Sequence, residues 1–361
     1  MTAKRWFFSS LILTVLSLLL IGGVVFFVDP FFHYRAPNES FFYKLYDERS
    51  QNDGITRNFD YDAIITGTSM AENFNATQFD RGMSVNTVKV PYSGATYKEI
   101  DDNLERAFES GHSIKYVLRP LDYSLLVRDK DEMRLDMGEY PVWLTNDNIL
   151  DDVKYLFNKD VISRYALPTI IWYLQGREGG HTSFDEYCYT GTNAKYGKEY
   201  VLVGQGKYKN PKKVHEPTDE EIELLSGNIE QNVVSLARQH PETTFIYFFP
   251  PYSMAYFGDL KEEADLDKML YYKAYAIDKM LECDNIHIYS FTMHTDITAD
   301  ISRYRDQAHY DPNVNMTIMD LIMDGEKSGA SKDRITLENR DAYLEAEKEL
   351  LKNFDYNSLL D

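Results

Sequence analysis

The chain has 361 residues, 43% of them hydrophobic and 14% aromatic, and its formal net charge is −20. A chain of this length and composition can bury a real core, which excludes a mostly disordered protein. The strong negative charge excludes nucleic acid as a partner, because phosphate contacts require clustered lysine and arginine. The two cysteines, Cys188 and Cys283, have neither CxxC nor zinc spacing. They are either two isolated buried thiols or, outside the cell, one disulfide.

The N-terminus predicts a membrane anchor at residues 1–29. Lys4 and Arg5 precede an uncharged apolar run at 6–28, which is long enough to cross a hydrocarbon core of about 30 Å. A cleavable signal peptide, the alternative, usually has an apolar region of about 7–15 residues and a small-x-small cleavage site. The positive charges before the run predict a single-pass protein of the cell membrane, with a cytoplasmic N-terminus and an extracytoplasmic main domain.

A rhythm of strands and helices begins after residues 30–57, which we interpret as a juxtamembrane connector. Short apolar, β-branched runs predict five strands, at 61–67, 84–94, 114–124, 243–253 and 285–291. Helical spacing of apolar residues predicts three helices, at 96–111, 219–241 and 266–282. Strands that alternate with helices predict an α/β fold, in which a doubly wound parallel sheet is covered on both faces.

Residues 125–215 interrupt this rhythm. They contain an apolar stretch at 147–176, which predicts two helices, and a polar stretch at 177–213. We interpret 125–215 as an insertion or lid in an α/β domain at 58–330. A charged segment of helical character follows at 331–361.

Polar residues follow the predicted strands, at the sheet edge where open parallel sheets carry their sites. Ser69 comes directly after the first strand, and Asp306 and His309 come after the last. A serine hydroxyl is a poor nucleophile until a base takes its proton. An aspartate and a histidine three residues apart can lie on one turn, so that the carboxylate orients the imidazole toward the serine.

Ser69 also has a second interpretation. The sequence Ser69-Met70-Ala71-Glu72 fits the capping box, in which the serine hydroxyl bonds the backbone N–H at the third helical position and the glutamate reaches back. The local sequence therefore leaves two roles for this serine, a nucleophile or a helix cap. The N-terminus of a helix would in addition offer free N–H groups to an oxyanion.

Gly67-Thr68-Ser69, Gly94 and Asp306-x-x-His309 together resemble the sequence blocks of the SGNH/GDSL hydrolase superfamily, over about residues 58–125 and 243–325. The resemblance implies a flavodoxin-like doubly wound parallel sheet of about five strands. It implies that Ser69 is the nucleophile, that Asp306 and His309 complete the triad, and that Gly94 contributes a backbone N–H to the oxyanion hole. We expect no cofactor and no metal.

The third block departs from the family pattern. The usual asparagine is missing, and the chain has Arg119-Pro120-Leu121-Asp122. An ionised Asp122 cannot donate a hydrogen bond to an oxyanion, and the loss of one such donor costs about 100–1000-fold in rate. Arg119, Asn73 or a backbone N–H could substitute for the asparagine. The alternative role of Arg119 is a salt bridge with Asp122 or a neighbouring carboxylate.

A membrane anchor on such a domain resembles the DltD-like and alginate-acetylation-type proteins. This resemblance implies an extracytoplasmic esterase or O-acyltransferase that acts on acyl esters of an envelope glycan or teichoic-acid-like polymer, alongside a membrane-bound O-acyltransferase. The alternative is a non-catalytic binding or assembly protein on the same scaffold, which partners such an acyltransferase. The missing asparagine favours this alternative, and the retained serine, aspartate and histidine favour the enzyme.

Three further patterns are weaker. His287 and His294-x-Asp296 have no third metal ligand at a convincing spacing. A glycosidase would need two carboxylates across a cleft, and the sequence singles out no such pair. Several tyrosines could either line a sugar-binding cleft or pack in the core; they are Tyr92, Tyr97, Tyr123, Tyr252 and Tyr310.

Overall fold

A computed structural model describes residues 2–136, 140–146 and 148–361. Position 147, where the predicted helical pair begins, and positions 137–139 of the predicted insertion lie outside the described residues. The chain divides into two compact units. The sheet unit comprises Tyr61–Arg134 and Cys188–Asp361, and the anchor unit comprises Met1–Asp60 and Leu135–Tyr187. The domain boundaries proposed from the sequence stay predictions.

The sheet unit is built on six strands. They are β1 (Ala63–Gly67), β2 (Thr87–Pro91), β3 (Tyr116–Pro120), β4 (Thr244–Phe249), β5 (Ile286–Ser290) and β6 (Arg334–Ile335). Their order in the sheet is β2-β1-β3-β4-β5-β6. The first five are parallel, and β6 pairs antiparallel with β5. The α/β class is therefore confirmed, and each of the five expected strands lies within its predicted range.

The strands are apolar runs because the sheet is covered on both faces. Every residue of β1 and β2 is buried, so alternation between polar and apolar positions is absent. The helices of this unit, apart from short 3₁₀ turns, are Ala76–Met83, Tyr97–Glu109, Lys198–Val201, Asp219–Ile229, Ser235–Gln239, Met254–Glu262, Leu266–Met280, Thr295–Thr298, Pro312–Ser328 and Arg340–Asn353.

Local sequence signals explain where these helices start and stop. Thr96 forms a capping box with Glu99 at the start of Tyr97–Glu109. The helix predicted at 219–241 is not continuous, because a π-helical segment, Glu230–Val234, separates two α-helices. The helix Pro312–Ser328 was not predicted from the sequence. It begins with a proline after an Asp311 cap.

The anchor unit begins with the helix Ala3–Val28. Its most apolar 18-residue window has a mean hydropathy of 2.9, and by length and composition the helix could cross a membrane, although a signal sequence passes the same test. Two-residue parallel strands, Phe42–Tyr43 and Gly180–His181, pair further on. The other helical segments of the unit are Glu48–Asn58, Val142–Leu144, Val153–Leu156, Val161–Ala166 and Leu167–Leu174.

A fixed turn follows the long helix. Asp29 takes the left-handed conformation, with φ 48°, and its backbone N–H donates to Val25 O. The Asp29 carboxylate accepts hydrogen bonds from the backbone N–H groups of His33, Tyr34 and Arg35 at 2.9–3.1 Å. The chain therefore leaves the helix through an ordered hydrogen-bonded turn.

No disulfide joins Cys188 to Cys283 in the structure, so the disulfide alternative is wrong. Of the two thiols predicted to be buried, Cys283 is buried and Cys188 is half-buried.

Candidate active site

The turn that carries Ser69 depends on a glycine at the end of β1. Gly67 has φ +146°, and a Cβ at this position would lie 2.8 Å from Pro120 Cγ. Because a side chain would meet both strain and a steric clash, only glycine fits this close approach between β1 and β3. The chain then turns into a short 3₁₀ helix, Ser69–Ala71.

Ser69 does not cap this helix. The N-cap is Thr68, whose Oγ1 accepts the Met70 N–H at 3.2 Å. Glu72 does not reach back to the helix start, because its carboxylate accepts a hydrogen bond from the Ser93 hydroxyl. The capping-box interpretation of Ser69 is therefore wrong, and the cap lies one residue earlier.

Ser69, His309 and Asp306 form a hydrogen-bonded chain. The distance from Ser69 Oγ to His309 Nε2 is 2.7 Å. His309 Nδ1 lies 2.8 Å from Asp306 Oδ2 and 3.0 Å from Asp306 Oδ1. With the Nδ1 proton directed at the carboxylate, Nε2 is left to accept the serine proton, which is the arrangement of a Ser-His-Asp triad.

The loop that presents His309 is held at both ends. Tyr304 and Tyr310 form an antiparallel bridge, and Arg305 N–H donates to His309 O at 3.0 Å. The residues after β4 fix the loop from the side. Ser253 donates to Gln307 O through its backbone N–H at 2.9 Å and its hydroxyl at 2.8 Å.

The Asp306 carboxyl is set to stay ionised. Burial would raise its pKa, but the hydrogen bond and positive field of His309 and the backbone N–H groups of Ala308 and His309 outweigh this effect. The net result is a pKa lowered to about 2. Asp306 is therefore a carboxylate throughout the physiological pH range and can stabilise an imidazolium on His309.

Two backbone N–H groups are available for an oxyanion. Among the hydrogen bonds of the described residues, neither the Ser69 N–H nor the Gly94 N–H donates. Gly94 has φ +62°, and a Cβ there would lie 1.7 Å from Arg134 Nη1. Ser69 and Gly94 both line the same cavity, so two donors of the kind used in oxyanion holes are present.

Asp122 also reaches the cavity, but in a different environment. It is buried, and its two carboxyl oxygens accept hydrogen bonds from the Thr68 hydroxyl, at 2.8 Å, and from the Tyr252 hydroxyl. Burial raises its pKa, against the lowering effect of these hydrogen bonds. A carboxyl group with a raised pKa holds a proton more readily and is a better candidate donor than an ordinary aspartate.

The other two predicted donors are not brought to the cavity. Arg119 is fully buried; its Nη1 donates to Asn232 O at 2.8 Å, and its guanidinium lies 4.8 Å from the centre of the Tyr97 ring. Its Nε and Nη2 have no hydrogen-bond partner among the described residues, so the alternative role of Arg119, a salt bridge with Asp122 or a neighbouring carboxylate, is wrong. Asn73 Oδ1 accepts from the backbone N–H of Thr190 at 3.0 Å. Neither residue lines the cavity.

The cavity has a volume of about 530 Å³. Of the tyrosines singled out in the sequence only Tyr252 lines it, whereas the rest are buried packing residues. Sequence reasoning missed several lining residues because they lie in the predicted insertion or on a helix after β4, where no motif marks them. These residues are Tyr200, Val201 and Tyr256.

The two histidines considered as metal ligands have carboxylate partners away from the cavity. His287 Nδ1 lies 2.7 Å from Glu326 Oε2, and His294 Nε2 lies 2.8 Å from Asp333 Oδ1. Among the described residues, no group of three histidine, cysteine, aspartate or glutamate side chains is arranged to hold a metal ion.

Comparisons with known proteins add little. No protein-family model and no curated protein matches the chain. A solved structure described as a "putative platelet activating factor" from Streptococcus pneumonia aligns over 76% of this chain and 91% of its own, with 11% sequence identity and a TM-score of 0.37. A likeness at this level carries no argument about function, so the site is judged from its own geometry.

Proposed function

We propose that this protein is a serine esterase or O-acyltransferase with an SGNH-like fold. The observation that carries the proposal is the contact of 2.7 Å between Ser69 Oγ and His309 Nε2, with Asp306 2.8 Å from the other ring nitrogen. A sheet order in which β1 lies between β2 and β3, followed by β4 and β5, is the order of flavodoxin-like sheets and supports the fold part of the proposal.

In the proposed reaction, Ser69 Oγ attacks the carbonyl carbon of an ester as His309 Nε2 takes the hydroxyl proton. Asp306 holds the imidazole and stabilises its positive charge. The N–H groups of Ser69 and Gly94 bind the oxyanion. Collapse of the tetrahedral intermediate breaks the ester C–O bond, and His309 returns the proton to the leaving alcohol. Water, or an acceptor hydroxyl deprotonated by His309, then attacks the acyl-enzyme.

The physiological substrate belongs to the same proposal. The apolar N-terminal helix supports a membrane anchor with an extracytoplasmic main domain, which would bring the cavity to an acyl ester of an envelope glycan or a teichoic-acid-like polymer. A membrane-bound O-acyltransferase is the partner that such a reaction would need as a source of acyl groups. Among the described lining residues there is no lysine or arginine, which favours neutral over anionic acyl groups.

The test is covalent labelling of the full chain in detergent with a fluorophosphonate probe. We expect the wild type to be labelled and both Ser69→Ala and His309→Ala to lose labelling, because the first removes the nucleophile and the second its base. Ser124→Ala is the matched serine control, since Ser124 also lines the cavity. His294→Ala is the histidine control, since its ring also faces a carboxylate.

The outcome separates the enzyme from the alternative, a non-catalytic binding or assembly protein. Labelling that survives in Ser69→Ala, or that is absent from folded wild type, would contradict the triad and favour a binding role. Labelling that is lost only in Ser69→Ala and His309→Ala would support the enzyme. The unlabelled wild type is then incubated with short-chain aryl esters, with and without a sugar acceptor, to separate hydrolysis from transfer.

A further inference from the structure

Two segments of the anchor unit expose apolar side chains, and both belong to the same compact unit as the long N-terminal helix. These segments are 149–157 and Leu167–Leu174. Apart from Tyr173, seven large apolar side chains on them are 39–77% exposed, and we refer to them as the apolar face: Ile149, Leu150, Val153, Phe157, Leu167, Ile171 and Leu174. Apolar exposure concentrated in this way marks a contact surface, whereas isolated exposed leucines need no explanation.

The contact of Phe157 with the long helix shows at which residue of that helix the apolar face lies. A Cβ added at Gly22 would lie 3.1 Å from Phe157 Cζ, so the Phe157 ring lies directly against the helix at that residue. Counted from Trp6 at about 1.5 Å per residue, a hydrocarbon core of about 30 Å ends near Val25. Gly22 comes before that end. If the helix spans a bilayer, Phe157 therefore lies at the depth of the acyl chains.

Aromatic and cationic side chains mark the level at which the chain leaves the bilayer. Arg35 Nη2 donates to Phe26 O at 3.0 Å, and its guanidinium lies 4.3 Å from the Phe26 ring centre. Phe27 contacts Phe41 at 5.8 Å between ring centres, and Phe41 contacts Tyr173 at 5.4 Å. Aromatic rings and basic side chains are enriched at this level of membrane proteins, which places Tyr173 at the interface.

The length of the second segment excludes another crossing. Leu167–Leu174 continues the π-helical Val161–Ala166, and the two together are at most about 21 Å long at about 1.5 Å per residue, short of a hydrocarbon core of about 30 Å. Its apolar side chains can be covered by lipid only if the helix lies in the interface. The basic residue of the first segment fits this position, because the stem of Lys154 can carry its ammonium group to the lipid head groups.

We propose that the apolar face is embedded among the acyl chains of the leaflet at the C-terminal end of the membrane helix. The anchor unit would then be held by one span and, in addition, by a surface that enters a single leaflet. The occupant of the face is lipid, because the face is continuous with a helix that is itself surrounded by lipid. The inference rests on the membrane anchor of the proposed function and not on the serine chemistry.

The test uses the full chain in nanodiscs of phosphatidylethanolamine and phosphatidylglycerol. Single cysteines are placed at Leu150, Phe157 and Leu174 in a background with Cys188→Ala and Cys283→Ala, and each carries an environment-sensitive fluorophore. We expect doxyl-labelled lipids to remove most of the fluorescence at all three positions and aqueous iodide to have little effect. Circular dichroism and melting of each labelled protein confirm that it is folded.

Two leucines serve as controls. Leu337 is 77% exposed, as Leu150 is, but belongs to neither segment; we expect quenching by iodide there. Leu13, which is 66% exposed within the long helix, reports whether the anchor is inserted. Lipid quenching at Leu13 together with iodide quenching at the apolar face would overturn the proposal and leave the anchor intact.

The remaining outcomes are equally decisive. If neither quencher reaches the apolar face, a protein covers it, and the lipid proposal is wrong. If doxyl lipids fail to quench Leu13, the anchor itself is wrong and the proposal falls with it. In both cases fluorophosphonate labelling of the same samples reports separately on the serine chemistry.

Discussion

The loop after β3 and the loop after β5 each bring an aspartate to the cavity, but they give it opposite properties. Asp306, on the later loop, is half-exposed and accepts hydrogen bonds from the His309 ring and from backbone N–H groups, so its pKa falls to about 2. Asp122, on the earlier loop, is buried, and burial raises its pKa even though hydrogen bonds from two hydroxyl groups act to lower it. The same residue type thus becomes a permanent carboxylate in one loop and a group inclined to hold its proton in the other.

This difference suggests a division of labour within the site. A permanent negative charge is useful beside His309, where a positive charge would develop during the proposed reaction. The same charge would be harmful beside the oxyanion, and the buried position of Asp122 disfavours it. The four predictions that follow test this division, in order of decreasing expected effect.

Asp306→Asn should have the largest effect. The amide can still contact the imidazole but cannot stabilise its positive charge or enforce the tautomer, and the loss in kcat for such a change is about 10⁴-fold. Ester hydrolysis and the rate of fluorophosphonate labelling measure it. A loss smaller than about tenfold would show that Asp306 does not act through His309.

Gly94→Ala should be next. Alanine keeps the backbone N–H, but strain at φ +62° would displace it from the oxyanion, so the loss in kcat should approach the roughly 100–1000-fold of a lost donor if the Gly94 N–H binds the oxyanion. The added Cβ would push Arg134 away and strain the backbone at φ +62°. Gly111→Ala is the matched control, because Gly111 has φ +82° and open space around it. Both variants should lose about 1–2 kcal/mol of unfolding free energy. Equal activity in the two would exclude Gly94 from the oxyanion hole.

Asp122→Asn should change kcat/KM by less than about tenfold, in contrast to Asp306→Asn, because a neutral amide resembles the protonated carboxyl. The folded-state pKa of Asp122 is raised above 3.8. Its contribution to folding is therefore fully present below 3.8 and is lost as the pH rises through the raised pKa. The melting temperature of the variant minus that of the wild type should therefore increase as the pH is raised from 4 to 8. A variant that loses activity as severely as Asp306→Asn would show that Asp122 acts as a carboxylate.

Thr68→Ala should have the smallest effect, mainly on stability. It removes the N-cap hydrogen bond to Met70 and one of the two hydroxyl donors to Asp122. The expected loss is about 1 kcal/mol of unfolding free energy, measured by urea denaturation. Thr68→Ser keeps the hydroxyl and should restore it. If Ser and Ala variants are equally destabilised, the methyl group and not the hydroxyl matters at this position.

The sequence predicted the five parallel strands of the sheet but not its sixth, antiparallel strand. Buried parallel strands are uninterrupted apolar runs, and β1 to β5 carry that signal. The two residues of β6 are too few to form a pattern, and Arg334 in the strand is polar. The helix Pro312–Ser328, which begins with a proline after the Asp311 cap, directly follows the Asp306–His309 loop and was not predicted.

Within the site, the sequence predicted the residues whose side-chain chemistry is distinctive. It did not predict the residues that reach the cavity only through tertiary packing. Ser69, His309 and Asp306 were found from residue type and from their order along the chain. Arg119 was proposed as a donor because of its charge, but its position inside β3 turns it toward Asn232 and Tyr97. Tyr200 and Tyr256 reach the cavity through tertiary contacts that no local pattern records.

The ordered turn at Asp29 has a mechanical consequence. A flexible linker would let the helix Ala3–Val28 change its direction without moving the residues that follow it. Here three backbone N–H groups donate to one carboxylate at the helix end, so the helix and the residues that follow it turn together. If the helix spans a bilayer, as proposed, a thinner bilayer that makes the helix tilt would tilt these residues by the same angle.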